Sequence, residues 1–179
     1  HPHGGGIDLS LRDKGGYADI YSADINGGNL RKLTNSRSDD ISPSRSPDGK
    51  KMVFVSGRTD LPQIYVKDLT TGSEERITYD FKYCTSPVWS SLNKIAFVVA
   101  EKGVHDIYTM NPDGTGLRNL TEGDGNNEEP CWSPDGRYIV FSSNRSGGYH
   151  LYIMNANGFN QRRVTFFDGE DRNPSWSPF

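Results

Sequence analysis

Four positions 43 or 44 residues apart carry groups able to act on one ligand together: Asp40, Cys84, Asn127 and Asp171, each three residues before a proline (Pro43, Pro87, Pro130, Pro174). Two carboxylates and an amide oxygen are hard ligands of the kind Ca²⁺ or another divalent cation takes, and they equally suit the charged end of a basic peptide. Asp40, Asn127 and Asp171 are therefore candidate metal ligands, and Asp40, Asn127, Glu128, Asp171 and Arg172 are candidate ligand-binding residues. They sit in four loops, residues 35–43, 79–87, 122–130 and 166–174, which together hold ten acids and three bases. The loops carry −7 in a chain whose formal net charge is −3, so charge is segregated along the sequence. A cleft lined by one sign of charge concentrates ligands of the other, an effect that salt screens.

Other chemistries find less to work with. No Ser, Cys or Lys lies in a nucleophile motif such as Gly-x-Ser-x-Gly, and the four histidines share no repeat position, so no catalytic residue is expected. The acidic balance disfavours nucleic acid, and no segment approaches the roughly 18 apolar residues of a membrane-spanning helix. Cys84 and Cys131 stand at different offsets from their prolines and have no zinc spacing; buried free thiols are expected, with a disulfide as the alternative.

The elements that position the loops are written in three registers. An aliphatic-Tyr pair recurs at Ile20-Tyr21, Ile64-Tyr65, Ile107-Tyr108 and Leu151-Tyr152, and an aliphatic-Thr pair at Leu33-Thr34, Ile77-Thr78, Leu120-Thr121 and Val164-Thr165. Both keep the 44, 43, 44 spacing of the prolines, which marks an internal repeat. Within a repeat, Pro130-Cys131-Trp132-Ser133-Pro134-Asp135-Gly136 reads as a strand entering a turn: proline presets φ, aspartate tolerates the next position and glycine supplies a positive φ. Tyr138 to Phe141 then form a second strand, the Tyr pair marks a third and the Thr pair a fourth. Twenty Gly and ten Pro fall beside such turns and act as punctuation.

Four short antiparallel strands every 43 or 44 residues predict an all-β fold, a β-propeller of four blades with four strands each. Residues 1–6 are expected to be a flexible tail and residues 7–179 a single propeller. Because the chain opens on the second strand of a blade, residues 172–177 are expected to complete the blade begun by residues 7–34. Pairing the termini would close the ring, hide an exposed strand edge and leave a monomer.

The Pro-x-Trp-Ser-Pro-Asp-Gly frame, the strand ending in Phe, Asp-Ile-Tyr at residues 106–108 and the Leu-Thr pairs together resemble the TolB-type propeller, over nearly the whole of residues 7–179. The resemblance implies a non-enzymatic scaffold that binds a protein or basic peptide through its acidic axial mouth, in a periplasmic or extracellular setting, with no obligatory cofactor. Similar propellers imply two alternatives, a metal-dependent carbohydrate-binding or lyase-like module and a gating domain of a peptidase. Two departures stand out. Arg45 occupies the place of Trp89, Trp132 and Trp176, and Ser90-Ser91-Leu92-Asn93 has lost the Pro-Asp-Gly turn. Four repeats are also fewer than the six blades and additional domain that TolB resembles.

Overall fold

A computed structural model describes residues 5–12, 14 and 16–177. The described residues form four antiparallel sheets in sequence order. The first holds β1 (Gly6–Arg12), β2 (Ala18–Asp24) and β3 (Arg31–Lys32); the second, β4 (Asp40–Arg45), β5 (Lys51–Thr59), β6 (Leu61–Asp68) and β7 (Glu74–Arg76). The third holds β8 (Cys84–Trp89), β9 (Ile95–Glu101), β10 (Val104–Met110) and β11 (Arg118–Asn119), and the fourth β12 (Asn127–Trp132), β13 (Tyr138–Ser143), β14 (His150–Asn155) and β15 (Arg162–Arg163). Each strand pairs with the next, as hairpins require.

The sheets pack face to face, and both faces of the middle strands are buried. Along β5, Met52 and Phe54 join a core shared with Ile20 and Leu33 of the first repeat, while Val53 and Val55 join one shared with Trp89, Ile95 and Phe97 of the third sheet. Along β9, Phe97 faces back to that core while Ala96 and Val98 face forward to Trp132, Ile139 and Phe141. Double burial explains why these strands read as continuous apolar runs instead of alternating ones. Each fully buried Phe contributes about 1.5–3 kcal/mol of transfer free energy.

The sheets converge at β4, β8 and β12, which touch one another in chain order. Each carries a bulge at its marker proline, where pairing shifts between Ile41 and Ser44, Thr85 and Val88, and Glu128 and Cys131. The residue before each proline sits in the left-handed region: Ser42 (φ 55°), Ser86 (51°), Glu129 (56°) and Asn173 (53°). Such non-glycine residues cost about 1–3 kcal/mol each and persist where the surroundings over-determine them. The repeat also explains its tryptophans: Trp132 Nε1 donates to the carbonyl of Val88 and Trp176 Nε1 to that of Cys131, each reaching into the preceding sheet. Arg45 keeps that reach by other means, pairing with Asp8 of β1 through Nε at 2.5 Å and Nη2 at 2.9 Å.

Two details differ from the sequence reading. Gly6 belongs to β1, so the expected tail shortens; residues 1–4 lie outside the described residues. The first sheet has three strands, and residues 172–177 are not assigned to it. They rest on the fourth sheet, where Trp176 bonds to Cys131 and the Asn173 N–H donates to Glu129 Oε2 at 2.6 Å. These are the contacts an innermost strand makes with the sheet before it.

Candidate binding face

The loops from each marker Thr to the next proline, together with the turns joining the second and third strands of each sheet, lie at one end of the sheets. The Thr markers anchor them. Thr34, Thr78, Thr121 and Thr165 each accept, through Oγ1, the N–H of the aliphatic residue in the Tyr pair, at 2.9–3.0 Å. The Thr78 and Thr121 hydroxyls in turn donate hydrogen bonds to Gln63 Oε1 and Asp106 Oδ1 at 2.8 and 2.6 Å. A β-branched residue with one hydroxyl thus pins the outer strand to the third and fixes where each loop begins.

Asp40 and Asn127, expected at an open mouth, are both 0% exposed. Each faces an arginine from the end of the neighbouring strand of its own sheet. Arg58 Nη2 lies 3.3 Å from Asp40 Oδ2 and its Nη1 2.5 Å from Glu74 Oε2; Arg145 Nη2 donates to Asn127 Oδ1 at 2.7 Å and its Nη1 to Gln161 Oε1 at 2.7 Å. The guanidinium of Arg58 lies over Tyr65 and that of Arg145 over Tyr152, 4.6 and 4.8 Å from the ring centroids. Burial pulls the pKa of Arg58 down, but its bonds to Glu74 and the charge of Asp40 outweigh this and the group ends raised. Arg145, with the amides of Asn127 and Gln161 for partners, ends lowered, because burial outweighs the charges of Asp124, Tyr152 and Asp106.

The third sheet has no such arginine. Glu101 holds the equivalent position, Cys84 replaces the acid or amide, and Phe81 packs against Phe97 and Tyr108 with ring centroids 6.4 and 5.0 Å away. Burial pushes the Cys84 thiol up to about 12, so it is a packing group; Cys84 and Cys131 are both free. These arginines have a signature in the sequence: Arg58 and Arg145 both stand six residues before the marker aliphatic.

Of the remaining candidates, Glu128 and Arg172 are brought together and Asp171 is held apart from them. Glu128 Oε1 lies 2.6 Å from His105 Nδ1 and accepts from Tyr149 Oη at 3.1 Å, while Oε2 accepts from Arg172 Nη1 at 2.9 Å. The Arg172 guanidinium covers the Tyr149 ring at 3.4 Å. Burial raises the Glu128 carboxyl, but hydrogen bonds from His105, Tyr149 and Arg172 prevail and hold it below the usual range. Asp171 lies 3.1 Å from His150 Nδ1 and is likewise lowered, by its bonds to Thr165 and His150. His105 and Tyr149 share the repeat position two before the marker aliphatic, and His150 stands where Asp19, Gln63 and Asp106 stand; they were not legible as site residues because the residue type changes at both positions from repeat to repeat.

Five loop acids remain exposed: Asp80, Glu122, Asp124, Asp168 and Glu170. Asp124 and Glu170 pair with Arg145 and Arg172; Asp80, Glu122 and Asp168 have no cation within 4.0 Å among the described residues. Exposed aromatics Tyr79, Phe166 and Phe167 lie beside them. No three His, Cys, Asp or Glu side chains among the described residues gather into a metal-holding group, and Asp40, Asn127 and Asp171 are each engaged within a different stretch of the chain.

Residues 1–94 and 91–179 each match the TolB beta propeller domain. The chain belongs to the TolB β-propeller family. A Protein TolB homolog of Chlorobium luteolum is 51% identical over 142 residues, covering 76% of this chain and 31% of that protein. The Tol-Pal system protein TolB of Bordetella pertussis is 34% identical over 137 residues, 75% of this chain and 31% of its own length. The crystal structure of TolB from Acinetobacter baumannii superposes with a TM-score of 0.84 at 29% identity, over 94% of this chain and 43% of that one. The chain thus spans about a third of the length of these curated relatives.

Proposed function

We propose that the chain is a non-enzymatic binding propeller of a Tol-Pal-like cell-envelope system, working in the periplasm and taking up a protein or basic peptide at its acidic loop end. Family membership supports the class of activity. The observation that carries the binding end is the set of exposed carboxylates at Asp80, Glu122 and Asp168, which no cation within 4.0 Å neutralises among the described residues. Asp40 and Asn127 serve this reading indirectly, by seating Arg58 and Arg145 beneath the loops.

Fluorescence anisotropy with a labelled Lys-rich peptide tests the proposal. The triple substitution Asp80→Asn, Glu122→Gln, Asp168→Asn is expected to weaken binding about tenfold or more and to flatten its dependence on salt, since exposed charges act mainly through long-range attraction. Equal binding by the triple variant, with an unchanged melting temperature, would remove this end of the molecule from the account.

A further inference from the structure

At the opposite end of the sheets, the turns over residues 46–49 and 133–136 keep the Ser-Pro-Asp-Gly frame, whereas residues 90–93 read Ser-Ser-Leu-Asn. Leu92 thereby stands where Asp48 and Asp135 stand, and it is 60% exposed. Asn93 adopts the left-handed conformation (φ 58°) that Gly49 and Gly136 adopt (φ 70°), as asparagine can at modest cost. The indole of Trp89 donates to Asn93 Oδ1 at 3.0 Å and fastens the altered turn to its sheet. The exchange removes one carboxylate from this end and puts an exposed apolar side chain in its place.

Leu92 leans across the gap between the third and fourth sheets, where a methyl group placed on Gly136 would lie 2.8 Å from its Cγ. Behind it opens a groove of about 400 Å³ with Met110 and Trp132 among its walls and Lys94 and Arg118 among its polar groups. A second hollow of about 360 Å³ shares Leu92 and Gly136 and extends to Arg137. Three cations and no carboxylate line the two. Arg137 is paired with Asp135 at 2.5 Å, but the Arg118 guanidinium lies over the Phe159 ring at 5.6 Å and has no carboxylate within 4.0 Å among the described residues. The cleft on the other side of the same turn, between the second and third sheets, has the opposite sign: Asp68, Glu74, Glu75 and Asp113 line it with Lys51 as its one cation.

We propose that the groove between the third and fourth sheets docks an acidic peptide segment of a partner protein, with a large apolar residue of that segment seated against Leu92 and Trp132 and its carboxylates on Arg118 and Lys94. A groove with only cationic charge on its walls repels a basic segment, and an arginine beside a buried aromatic is the kind of anchor that dominates peptide affinity. This site is separate from the acidic end, so one chain can hold two partners of opposite charge.

The test uses a labelled peptide Asp-Glu-Leu-Phe-Glu-Asp, with Asp-Glu-Ser-Ser-Glu-Asp as control, titrated into the 179-residue chain and followed by anisotropy. Saturable binding of the first peptide is expected, weakened about tenfold or more in the control, in Arg118→Glu and in Leu92→Asp. Arg118→Gln serves as a milder second variant, and melting curves confirm that each variant is folded. Absence of saturable binding to the parent chain, or binding undiminished by the folded variants, would overturn the proposal. A concentration-dependent rise in light-scattering mass that Leu92→Asp abolishes would also overturn it, by assigning the groove to a second copy.

Discussion

Arg58 and Arg145 hold the same place in two repeats yet face different partners, and the difference sets what their loss costs. Removing Arg58 strands Asp40, a carboxylate with no exposure, and breaking a buried pair from one side costs about 3–5 kcal/mol. Removing Arg145 strands an amide oxygen of Asn127, for which about 1–3 kcal/mol is expected. Arg58→Met should therefore destabilise the chain more than Arg145→Met in urea unfolding; the reverse order would contradict the assignment of Asp40 as a charged partner. Glu128 provides a pH signature. Its folded pKa is depressed, so its stabilisation is fully present above the unfolded value near 4.3 and is lost as pH falls through the lower folded value. Glu128→Gln should lower the melting temperature at neutral pH, by the equivalent of about 1 kcal/mol or less for a partly exposed cluster, and the difference should close in acid below that window. A difference that persists unchanged there would mean packing, not charge, is what the substitution removes.

The strand frame was legible because each element repeats a local rule: proline and glycine at the turn, β-formers after it, and a threonine whose hydroxyl caps the third strand. Asp48, Asp113 and Asp135 serve their turns, each accepting a backbone N–H two residues on; at Asp135 the Ser133 hydroxyl, then the N–H and guanidinium of Arg137, hold the pKa at about 2. The site was less legible. Position three before the proline suggests a ligand set because it recurs, yet at Asp40 and Asn127 it holds the partner of a buried arginine, at Asp171 the partner of His150, and in the third sheet Cys84 fills it while Glu101 replaces the arginine. At this scale two substitutions are decisive. Trp132→Ala should cost about 3–5 kcal/mol, because it empties the core between two sheets and removes the bond to Val88. Ser91→Pro, which matches Pro47 and Pro134 of the other turns and leaves Asn93 bonded to Trp89, should raise stability by about 0.4–1 kcal/mol through a stiffer unfolded chain. A neutral melt for Trp132→Ala would contradict the face-to-face packing of the sheets.

Across the whole molecule the loop end is acidic, while at the other end the cationic groove beside Leu92 adjoins an acidic cleft on the far side of the same turn. The sequence revealed the first by counting acids between markers, but not the second, because Lys94, Arg118 and Arg137 come together only when neighbouring sheets stack. Closure of the ring through residues 172–177 belongs to the same scale: it predicts a light-scattering mass near the 20.0 kDa of one chain, whereas twice that mass would mean two arcs joined. The central claim, that the acidic loop end takes up a basic ligand, is tested most directly by hydrogen exchange with and without a saturating Lys-rich peptide. Slowed exchange in residues 79–83, 122–126 and 166–171, with the turns over residues 90–93 and 133–136 unchanged, is the predicted footprint. Protection confined to those turns, or none in the three loops, would contradict it.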